Sequence, residues 1–520
     1  MVSLHPPHTA CASAGPWAMA PSPRPLELEG LLAASGARGQ PRAGRADLAP
    51  LGPARVLLGT FLALSVCALA ITWLRPRGPV HGARGDDAAG VSRPGGGARL
   101  RQLRGEGPNY TVVIDCGSTH TTLHVFEARA GVVKEVEPDA NRGKAGYPPE
   151  IGPLADYIDA ADDLRVDLAK LINESLRFVP QSRRIHTPLY MYATAGMRLY
   201  PPQVQRSVFE RAADVLSDLG AYAVDASHLR TISEEEEAVF AYLAANQEAC
   251  QGAAPCNDTV GVLEMGGGSL QVAFAPRDAI MSEAFTFNIG AQRRSIYAKG
   301  FMRFGQNEAL AKSIVALADG GGNLSTLEHP CFLCGYSGDF NISLDAGDVT
   351  AHVVGAGDAA ACDELLTRLL HLDYECDLPP CGIRGEYMPK PSGVFLGLSG
   401  FKYAVTNFDL PLTGTTPLSL KTRAEEFCTR KDSDLLGTNA KFLQRACFLG
   451  LYAYRVLRSL GFHDGYAGLD FSRKVVWPVG AVLYETIFPE GARTSAGRRL
   501  QGPRPRPLRA HASLGGARAT

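Results

Sequence analysis

The 520-residue sequence lacks an excess of charge of either sign: 52 Lys and Arg balance 53 Asp and Glu, so the formal net charge is −1. Positive charge is concentrated at the two ends. Residues 1–108 hold twelve Arg, no Lys and six acids, and residues 491–520 hold seven Arg and no acid. The residues between these ends are therefore acidic overall. Nucleic acids are bound through clustered Lys and Arg, so this acidic central region excludes nucleic acid as the main partner.

Charged residues are also absent from 56–74, the nineteen residues between Arg55 and Arg75. At a rise of about 1.5 Å per residue, this length crosses a bilayer core of about 30 Å. We predict one transmembrane helix over 56–74. No second run of this kind lies near the C-terminus, which predicts a single-pass membrane protein.

Asn is absent from residues 1–55, so glycosylation sequons occur only after the predicted helix, at Asn109, Asn173, Asn257, Asn323 and Asn341. Ten of the twelve Cys also follow that helix, and short spacings such as Cys250 to Cys256 favour disulfides. We therefore predict a type II orientation. The N-terminus would be cytoplasmic, and the long C-terminal part would be lumenal or extracellular.

A second Cys pair at zinc-finger spacing is missing after Cys331 and Cys334, which favours disulfides over a zinc site. Three segments, 1–55, 75–107 and 491–520, lack apolar periodicity and are rich in Pro, Gly, Ala and Arg. Such segments cannot bury a core. We predict that they form a disordered cytoplasmic tail, a disordered stalk and a disordered basic tail.

The remaining residues, about 108–490, have the pattern of an α/β protein. A β-branched run at 110–114 predicts a buried strand, which ends in the turn Asp115-Cys-Gly-Ser-Thr-His-Thr121 before a returning strand at 122–126. A second copy follows 149 residues later: a strand at 259–263, the turn Glu264-Met-Gly-Gly-Gly-Ser-Leu-Gln271 and a strand at 272–274. Helices are predicted at about 154–176, 204–219, 234–247 and 440–460.

Each turn has the composition of a phosphate-binding loop. Glycine lets the backbone approach an anion closely, successive backbone N–H groups point inward, and a hydroxyl adds a donor. Two such loops could hold a chain of phosphates across a cleft. A plain hairpin turn is the alternative for either loop.

Ser233 and Glu236 have the spacing of a capping box and predict the start of a helix. Glu237 shares the helical face of Phe240 and Ala241, so we expect it to point into the protein. A carboxylate at this place suits a general base. Stabilisation of the helix dipole is the structural alternative for these acids.

These residues form an ordered set of five motifs that resembles the apyrase family, the nucleoside triphosphate diphosphohydrolases, over about residues 108–490. The two loops are similar to its phosphate loops. The other motifs are Ala193-Thr-Ala-Gly-Met-Arg198, Ile232 to Phe240, and Phe395-Leu-Gly-Leu-Ser-Gly-Phe-Lys-Tyr403, and Trp477-Pro-Val-Gly480 resembles a closing element.

The resemblance implies a fold, an activity and a set of site residues. The fold would be two RNase-H-like domains of the actin and sugar-kinase superfold, domain I at 108–233 and 468–490 and domain II at 234–467, with the active site in the cleft between them. The activity would be hydrolysis of nucleoside tri- or diphosphates by water with Ca²⁺ or Mg²⁺.

The resemblance also implies roles for individual residues. Glu237 would be the general base, and Ser269 and Gln271 would position the water. Thr194 and the backbone of Gly117, Ser118, Thr119, His120, Gly266, Gly267 and Gly268 would cradle the phosphates, while Asp115 and Glu264 would hold the cation through its waters.

Three positions of the motifs differ from the family pattern, and one of them is Ala238, which stands where the family has Gly after the base. Glu264 stands where the family usually has Asp, and Lys402 stands where an aromatic residue often stacks on the base in cell-surface members. Phe401 and Tyr403 are therefore the candidates for base stacking.

The same resemblance implies disulfides for the pairs 331–362, 376–381 and 428–447, whereas Cys116 and Cys334 are expected to be reduced. Two alternative functions stay open: a polyphosphate hydrolase of the same superfold and a catalytically impaired nucleotide-binding ectodomain.

Overall fold

The computed structural model describes residues 109–129, 132–136, 149–247, 259–289, 292–344, 347–372, 374–435 and 440–487. The predicted transmembrane helix (56–74) and the three segments predicted to be disordered (1–55, 75–107 and 491–520) lie outside these ranges. Within the described ranges, no helix combines the length and apolarity needed to span a membrane.

The first sheet contains the first predicted loop. Its strands are β1 (Asn109–Cys116), β2 (Thr121–Arg129), β3 (Val132–Glu135), β4 (Glu150–Ile151), β5 (Pro188–Ala193) and β6 (Ala223–Thr231). They are arranged in the order β3-β2-β1-β5-β6, and β4 pairs with β2. The β1–β2 hairpin is antiparallel, whereas β5 and β6 continue the sheet in parallel. Six aliphatic or aromatic residues of β1 and β2 are completely buried, which agrees with the predicted core strands.

Helices α1 (Ala161–Ser175) and α4 (Pro202–Leu219) pack on one face of this sheet, and the short helices α2 (Gln181–Arg184) and α3 (Ala195–Arg198) lie in its connections. The helix predicted at 154–176 is divided. A 3₁₀ turn covers Leu154–Tyr157, and α1 begins only after Ala160, whose φ of −117° and ψ of 65° are not helical.

The second sheet repeats the arrangement around the second loop. Its strands are β7 (Gly261–Met265), β8 (Ser269–Phe274), β9 (Ala284–Ile289), β10 (Gln292–Met302), β14 (Phe395–Ser399) and β15 (Leu469–Asp470). Their order is β15-β14-β7-β8-β10-β9. A smaller sheet, β11-β13-β12, is built from β11 (Leu327–His329), β12 (Ser337–Leu344) and β13 (Gly347–Gly355).

The core of the second sheet includes residues from five helices: α6 (Gln306–Asp319), α7 (Ala359–Leu369), α8 (Gly400–Thr406), α9 (Pro417–Cys428) and α11 (Ala446–Ser459). Short helical turns cover Ile383–Gly385, Asp432–Asp434 and α10 (Ala440–Leu443). The helix predicted at 440–460 is thus interrupted at Arg445, whose φ of −98° and ψ of 2° separate α10 from α11.

Two helices lie between the sheets, α5 (Glu234–Asn246) and α12 (Trp477–Ile487), and share a core with residues from both of them. A Cβ at Gly480 would lie only 1.7 Å from the Phe240 carbonyl oxygen, so glycine is required where the two helices meet. The rings of Phe240 and Trp477 stack with centroids 6.1 Å apart. This packing places the N-terminus of α5 beside both loops. The boundaries of domains I and II stay a prediction.

The three disulfides implied by the resemblance are present: Cys331–Cys362, Cys376–Cys381 and Cys428–Cys447. Cys116 is buried and reduced, as expected. The expectation for Cys334 was wrong, because this residue is disulfide-bonded. Pairing depends on which sulfur atoms the fold brings together, and spacing along the chain does not reveal that. The suggested pair of Cys250 and Cys256 lies outside the described residues.

Candidate active site

Asp115 and Glu264 occupy equivalent places in the two sheets. Each lies near the carboxyl end of the first strand of an antiparallel hairpin, where Asp115 pairs with Thr122 and Glu264 with Gln271. The repeated motif in the sequence therefore corresponds to a repeated structure.

The two loops are closed by the same hydrogen bond. Gly117 N–H donates to the His120 carbonyl and Gly266 N–H donates to the Ser269 carbonyl, both at 3.0 Å. Both glycines thus use their N–H groups within the turn. Among the described residues, five loop N–H groups have no acceptor: those of Ser118, Thr119, His120, Gly267 and Gly268. Such a set of unpaired N–H groups is suited to bind an anion.

The loops touch one another. A Cβ at Gly267 would lie 2.8 Å from Ser118 Oγ, and a Cβ at Gly268 would lie 2.7 Å from Ala195 Cβ. Thr194, just before α3, is buried and donates from its hydroxyl to the Cys116 carbonyl at 3.4 Å. The second motif therefore supports the base of the first loop.

Glu237 lies in the first turn of α5, which begins with the predicted capping box: Ser233 Oγ accepts from Glu236 N–H, and Glu236 Oε2 accepts from Ser233 N–H at 2.9 Å. The Glu237 side chain is buried, as its helical face predicts. Its Oε2 atom accepts from Arg198 Nη2 at 2.7 Å and from Gln271 Nε2 at 3.2 Å. Gln271 Nε2 also donates to Ser269 Oγ at 2.6 Å. Both hydrogen bonds reach the same carboxylate oxygen, so Oε1 is left without a partner among the described residues.

The three acids of the site influence each other electrostatically. Burial raises the pKa of Asp115 to about 7, and the charge of Glu237 adds to the rise, whereas His124 and a hydrogen bond from Trp477 oppose it. Burial likewise raises the pKa of Glu264 to about 8, with contributions from Glu237 and Asp115. Burial also raises the pKa of Glu237, and Arg198 opposes that rise. Concentrated negative charge of this kind is stabilised by a cation.

The carboxylate oxygens of Asp115 and Glu264 suit a hard divalent cation that is bound through water molecules. Glu264 Oε2 is buried without a hydrogen-bond partner among the described residues, and carboxylate oxygens are the ligands that Ca²⁺ and Mg²⁺ prefer. In the described part of the chain, no three His, Cys, Asp or Glu side chains converge closely enough to ligate one ion. Coordination through water, which Mg²⁺ favours, is compatible with both observations.

Three residues at the site were not assigned a role by the sequence. Arg198 binds Glu237 and also donates to the carbonyls of Ile232 and Ser233. Ser399 has a φ of 52°, unusual for a residue other than glycine, and its hydroxyl lies 3.5 Å from Glu264 Oε1. Trp477 lies close enough to Asp115 to lower the pKa of its carboxyl group, against the larger rise that burial causes. The sequence does contain a signal for Arg198, because a buried carboxylate such as Glu237 needs a cationic side chain nearby.

The two candidates for base stacking differ in accessibility. Phe401 is completely buried in the core of the second sheet, whereas Tyr403 is 55% exposed. The Phe401 ring is therefore not available to a ligand, and Tyr403 is the candidate that we retain. Between them, Lys402 Nζ lies 3.5 Å from the Ser472 carbonyl. A surface cavity of about 410 Å³ between α4 and β6 contains none of the predicted site residues.

The chain is similar to several known proteins over most of its length. The chain is 27% identical over 424 residues to ectonucleoside triphosphate diphosphohydrolase 8 of Gallus gallus, covering 72% of this chain and 83% of that protein. It is 25% identical over 426 residues to ectonucleoside triphosphate diphosphohydrolase 1 of Mus musculus, covering 73% and 81%. A crystal structure of nucleoside triphosphate hydrolases from Neospora caninum matches with a TM-score of 0.56 at 15% identity, covering 74% of this chain and 93% of that one.

The structural match confirms the expected mixed α/β fold of the actin and sugar-kinase type. The model of the GDA1/CD39 (nucleoside phosphatase) family matches residues 102–486, most of the chain. The chain therefore belongs to the GDA1/CD39 (nucleoside phosphatase) family.

Proposed function

We propose that this protein is a nucleoside triphosphate diphosphohydrolase, which hydrolyses nucleoside tri- or diphosphates to lower phosphates and orthophosphate with Ca²⁺ or Mg²⁺. One observation carries the proposal: two touching glycine loops present unpaired N–H groups beside a buried carboxylate with one oxygen unpartnered among the described residues. The family and the names of the relatives support the same activity.

Phosphate oxygens would be bound by the backbone N–H groups of Ser118, Thr119, His120, Gly267 and Gly268, with Thr194 nearby. Gly117 and Gly266 would act through the shape of the turns. A Cβ at Gly117 would lie 3.0 Å from the His120 carbonyl oxygen, so any larger residue at this position would strain the turn. Fixed N–H donors of this kind stabilise phosphoryl oxygens without reorganisation during the reaction.

Glu237 would act as the general base. Its Oε1 atom would accept the proton of a water molecule whose oxygen attacks the terminal phosphorus, while the bond from that phosphorus to the bridging oxygen breaks. Ser269 and Gln271 would position this water. Arg198 and Gln271 hold Oε2 and so orient the carboxylate.

Asp115 and Glu264 would hold the divalent cation through its waters. When bound, the cation supplies positive charge to the phosphate oxygens. Together with the backbone N–H groups, it would allow an acidic protein to bind a polyanion.

We further propose a single-pass type II membrane protein with this site in an organelle lumen or outside the cell. The three disulfides support an oxidising compartment. Three of the sequon residues, Asn173, Asn323 and Asn341, are exposed to solvent, as glycan attachment requires.

The direct test is phosphate release by the purified protein from ATP, ADP, UTP, UDP and GDP, with Ca²⁺, with Mg²⁺ and with EDTA. Release from nucleotides that requires a cation would support the proposal. Release from inorganic tripolyphosphate at equal or higher kcat/KM would favour the polyphosphate hydrolase instead. A folded protein that binds nucleotide without turnover would be a binding module.

We expect Gly268→Ala to weaken substrate binding by displacing the second loop from α3 and from the adjacent first loop. The new methyl group would lie 2.7 Å from Ala195 Cβ, and forcing such a contact costs roughly 1–3 kcal/mol. The KM for nucleotides should rise about tenfold or more. Gly465→Ala is the matched control, because its Cβ would meet nothing closer than 3.8 Å. An unchanged KM in Gly268→Ala would contradict the placement of phosphates between the loops.

We expect Tyr403→Ala to raise the KM for nucleotides about tenfold, since stacking of a base on an aromatic ring contributes roughly 1–3 kcal/mol. Its effect on hydrolysis of tripolyphosphate should be small, because that substrate has no base. Tyr374, which is 45% exposed, provides a control substitution to Ala. Equal losses for nucleotide and tripolyphosphate would show that Tyr403 does not bind the base.

A further inference from the structure

Three polar side chains on the smaller sheet form a continuous hydrogen-bonded chain that the proposed reaction does not use. Ser337 Oγ lies 3.0 Å from His352 Nε2, and His352 Nδ1 lies 2.6 Å from Asp339 Oδ1. Ser337 and Asp339 belong to β12, and His352 belongs to the neighbouring strand β13. We call these three residues the surface triad.

The register of the two strands places the surface triad on one face of the sheet. Asp339 and His352 are directly opposite each other, and Ser337, two residues before Asp339, is opposite Val354. Because side chains alternate along a strand, Ser337 and Asp339 point to the same face. The imidazole of the opposite strand reaches both of them, one through each ring nitrogen. The contacts therefore follow from regular antiparallel pairing.

The order of the three groups fixes the direction of each hydrogen bond. An ionised carboxylate can only accept, so His352 Nδ1 carries the hydrogen and donates it to Asp339. In a neutral imidazole, Nε2 then has a free lone pair and accepts from the Ser337 hydroxyl. A carboxylate, an imidazole and a hydroxyl in this order are the arrangement that activates serine as a nucleophile.

Other cross-strand hydrogen bonds on the same face join only two residues each. Ser343 Oγ donates to Asp348 Oδ1 at 2.6 Å, and Thr350 Oγ1 donates to Asn341 Oδ1 at 2.9 Å. Neither pair contains a base that could take a proton from the hydroxyl at neutral pH. The imidazole distinguishes the surface triad from this ordinary pairing.

The surface triad is accessible, unlike a similar chain in the first sheet. That chain runs from the Thr122 hydroxyl through the His124 ring to the Glu135 carboxylate, but Thr122 and His124 are buried. In the surface triad, Ser337 is exposed, and the histidine and aspartate side chains are 41% and 68% exposed. Of the two chains, the surface triad alone can meet a dissolved substrate.

A backbone N–H group at the edge of the sheet adds a donor beside the serine. β12 is an edge strand of the sheet β11-β13-β12. Gly355 N–H donates to the Tyr336 carbonyl at 3.0 Å, which makes Ser337 and Val354 a non-hydrogen-bonded pair. The Ser337 N–H therefore points away from β13 and has no acceptor among the described residues. The N–H of the nucleophile itself is one of the donors that stabilise an oxyanion in serine hydrolases.

We propose that Ser337, His352 and Asp339 form a second hydrolytic site, which cleaves small carboxylic esters through an acyl-serine intermediate. Ser337 Oγ attacks the carbonyl carbon, its proton passes to His352 Nε2, and the C–O bond breaks as the alcohol leaves with that proton. Water then attacks the acyl group, and His352 transfers the proton of this water to Ser337 Oγ as the carboxylic acid leaves. Asp339 keeps the imidazole oriented. Because the face is open, we expect short acyl groups such as acetyl.

The test is labelling of the full chain with diisopropyl fluorophosphate, which reacts with activated serines, followed by peptide mass spectrometry. Hydrolysis of p-nitrophenyl acetate is measured in parallel. The variants Ser337→Ala, His352→Gln and Asp339→Asn change side chains at the surface, so each should keep the Tm of the parent protein. Ser343→Ala is the matched control, because Ser343 lies on the same strand and face but is bonded to a carboxylate without an imidazole.

We expect one label per chain, on Ser337. The labelling rate should fall about 10²-fold in His352→Gln, about tenfold in Asp339→Asn, and stay within twofold in Ser343→Ala. p-Nitrophenol should be released in a burst of about one equivalent per chain, which Ser337→Ala abolishes. Absence of the label from Ser337, or equal labelling in the parent and His352→Gln, would overturn the proposal. Neither readout involves a nucleotide, so the result is independent of the proposed function.

Discussion

Glu237→Gln should lower kcat by roughly 10²–10⁴-fold, the range that a positioned general base contributes. Nucleotide affinity should stay within a few-fold, because the phosphates are assigned to backbone N–H groups of the loops and not to this side chain. The amide has nearly the shape of the carboxylate and can keep a hydrogen bond from Arg198 to its carbonyl oxygen. Single-turnover kinetics and direct nucleotide binding would measure the two effects separately.

Glu235→Gln is the matched control for this substitution. Glu235 lies in the same first turn of α5 and carries the same charge, but it makes no hydrogen bond to a described residue. Its substitution should leave kcat within about twofold. Loss of nucleotide binding in Glu237→Gln, or equal loss of kcat in the two variants, would be incompatible with Glu237 as the base.

Removal of the divalent cation should abolish activity and also destabilise the fold. Burial raises the pKa values of Asp115 and Glu264, and repulsion from neighbouring acids of the site, Glu237 among them, adds to the rise. Without a cation at pH 8, this repulsion opposes folding. Mg²⁺ or Ca²⁺ should therefore raise the Tm, by roughly 2–4 °C for each kcal/mol of repulsion relieved. Thermal unfolding with EDTA and with added cation measures this directly.

Asp115→Asn should have opposite effects on stability and on activity. In EDTA at pH 8 the Tm should rise, because one of the mutually repelling charges is gone. The increase in Tm on adding cation should shrink, and kcat/KM should fall by at least about 10²-fold. Asp163→Asn, an exposed acid in the first turn of α1, should change none of these quantities. A parent protein whose Tm and activity do not respond to EDTA would rule out Asp115 and Glu264 as the cation site.

The position of Glu237 depends on packing that extends well beyond its own helix. The capping box sets the start of α5, and contact with α12 at Gly480 and with both sheets fixes where this start lies. Arg198, 39 residues away in sequence, then supplies the opposing charge at 2.7 Å. These contacts fix the orientation of the Glu237 carboxylate in the structure.

Local patterns were sufficient to predict the two hairpins, the capping box and the inward face of α5. Each is determined by residues within about one turn of helix or one pair of strands, through periodicity and turn chemistry. The unpaired N–H groups of the loops follow from the same local chemistry. The three disulfides were correctly expected from the family resemblance.

Accessibility could not be predicted in the same way. Phe401 and Tyr403 are two positions apart in α8 and so point to different sides of that helix, but the sequence does not show which side faces the core. The structure buries Phe401 and exposes Tyr403. Cys334 was expected to be reduced because it has no obvious partner in the sequence, but it is disulfide-bonded. Disulfide pairing depends on tertiary proximity, which spacing along the chain does not report.

The sequence by itself determined the α/β class, the two glycine loops with their acids, and the helix that carries Glu237, because these depend on neighbouring residues. Only the tertiary structure decided that the loops touch at Gly267 and Ser118, and that Arg198 and Gln271 hold one oxygen of Glu237. These contacts join residues far apart in the chain. The free energy of these contacts arises from burial and from the charges of the folded protein, so local sequence patterns do not predict them.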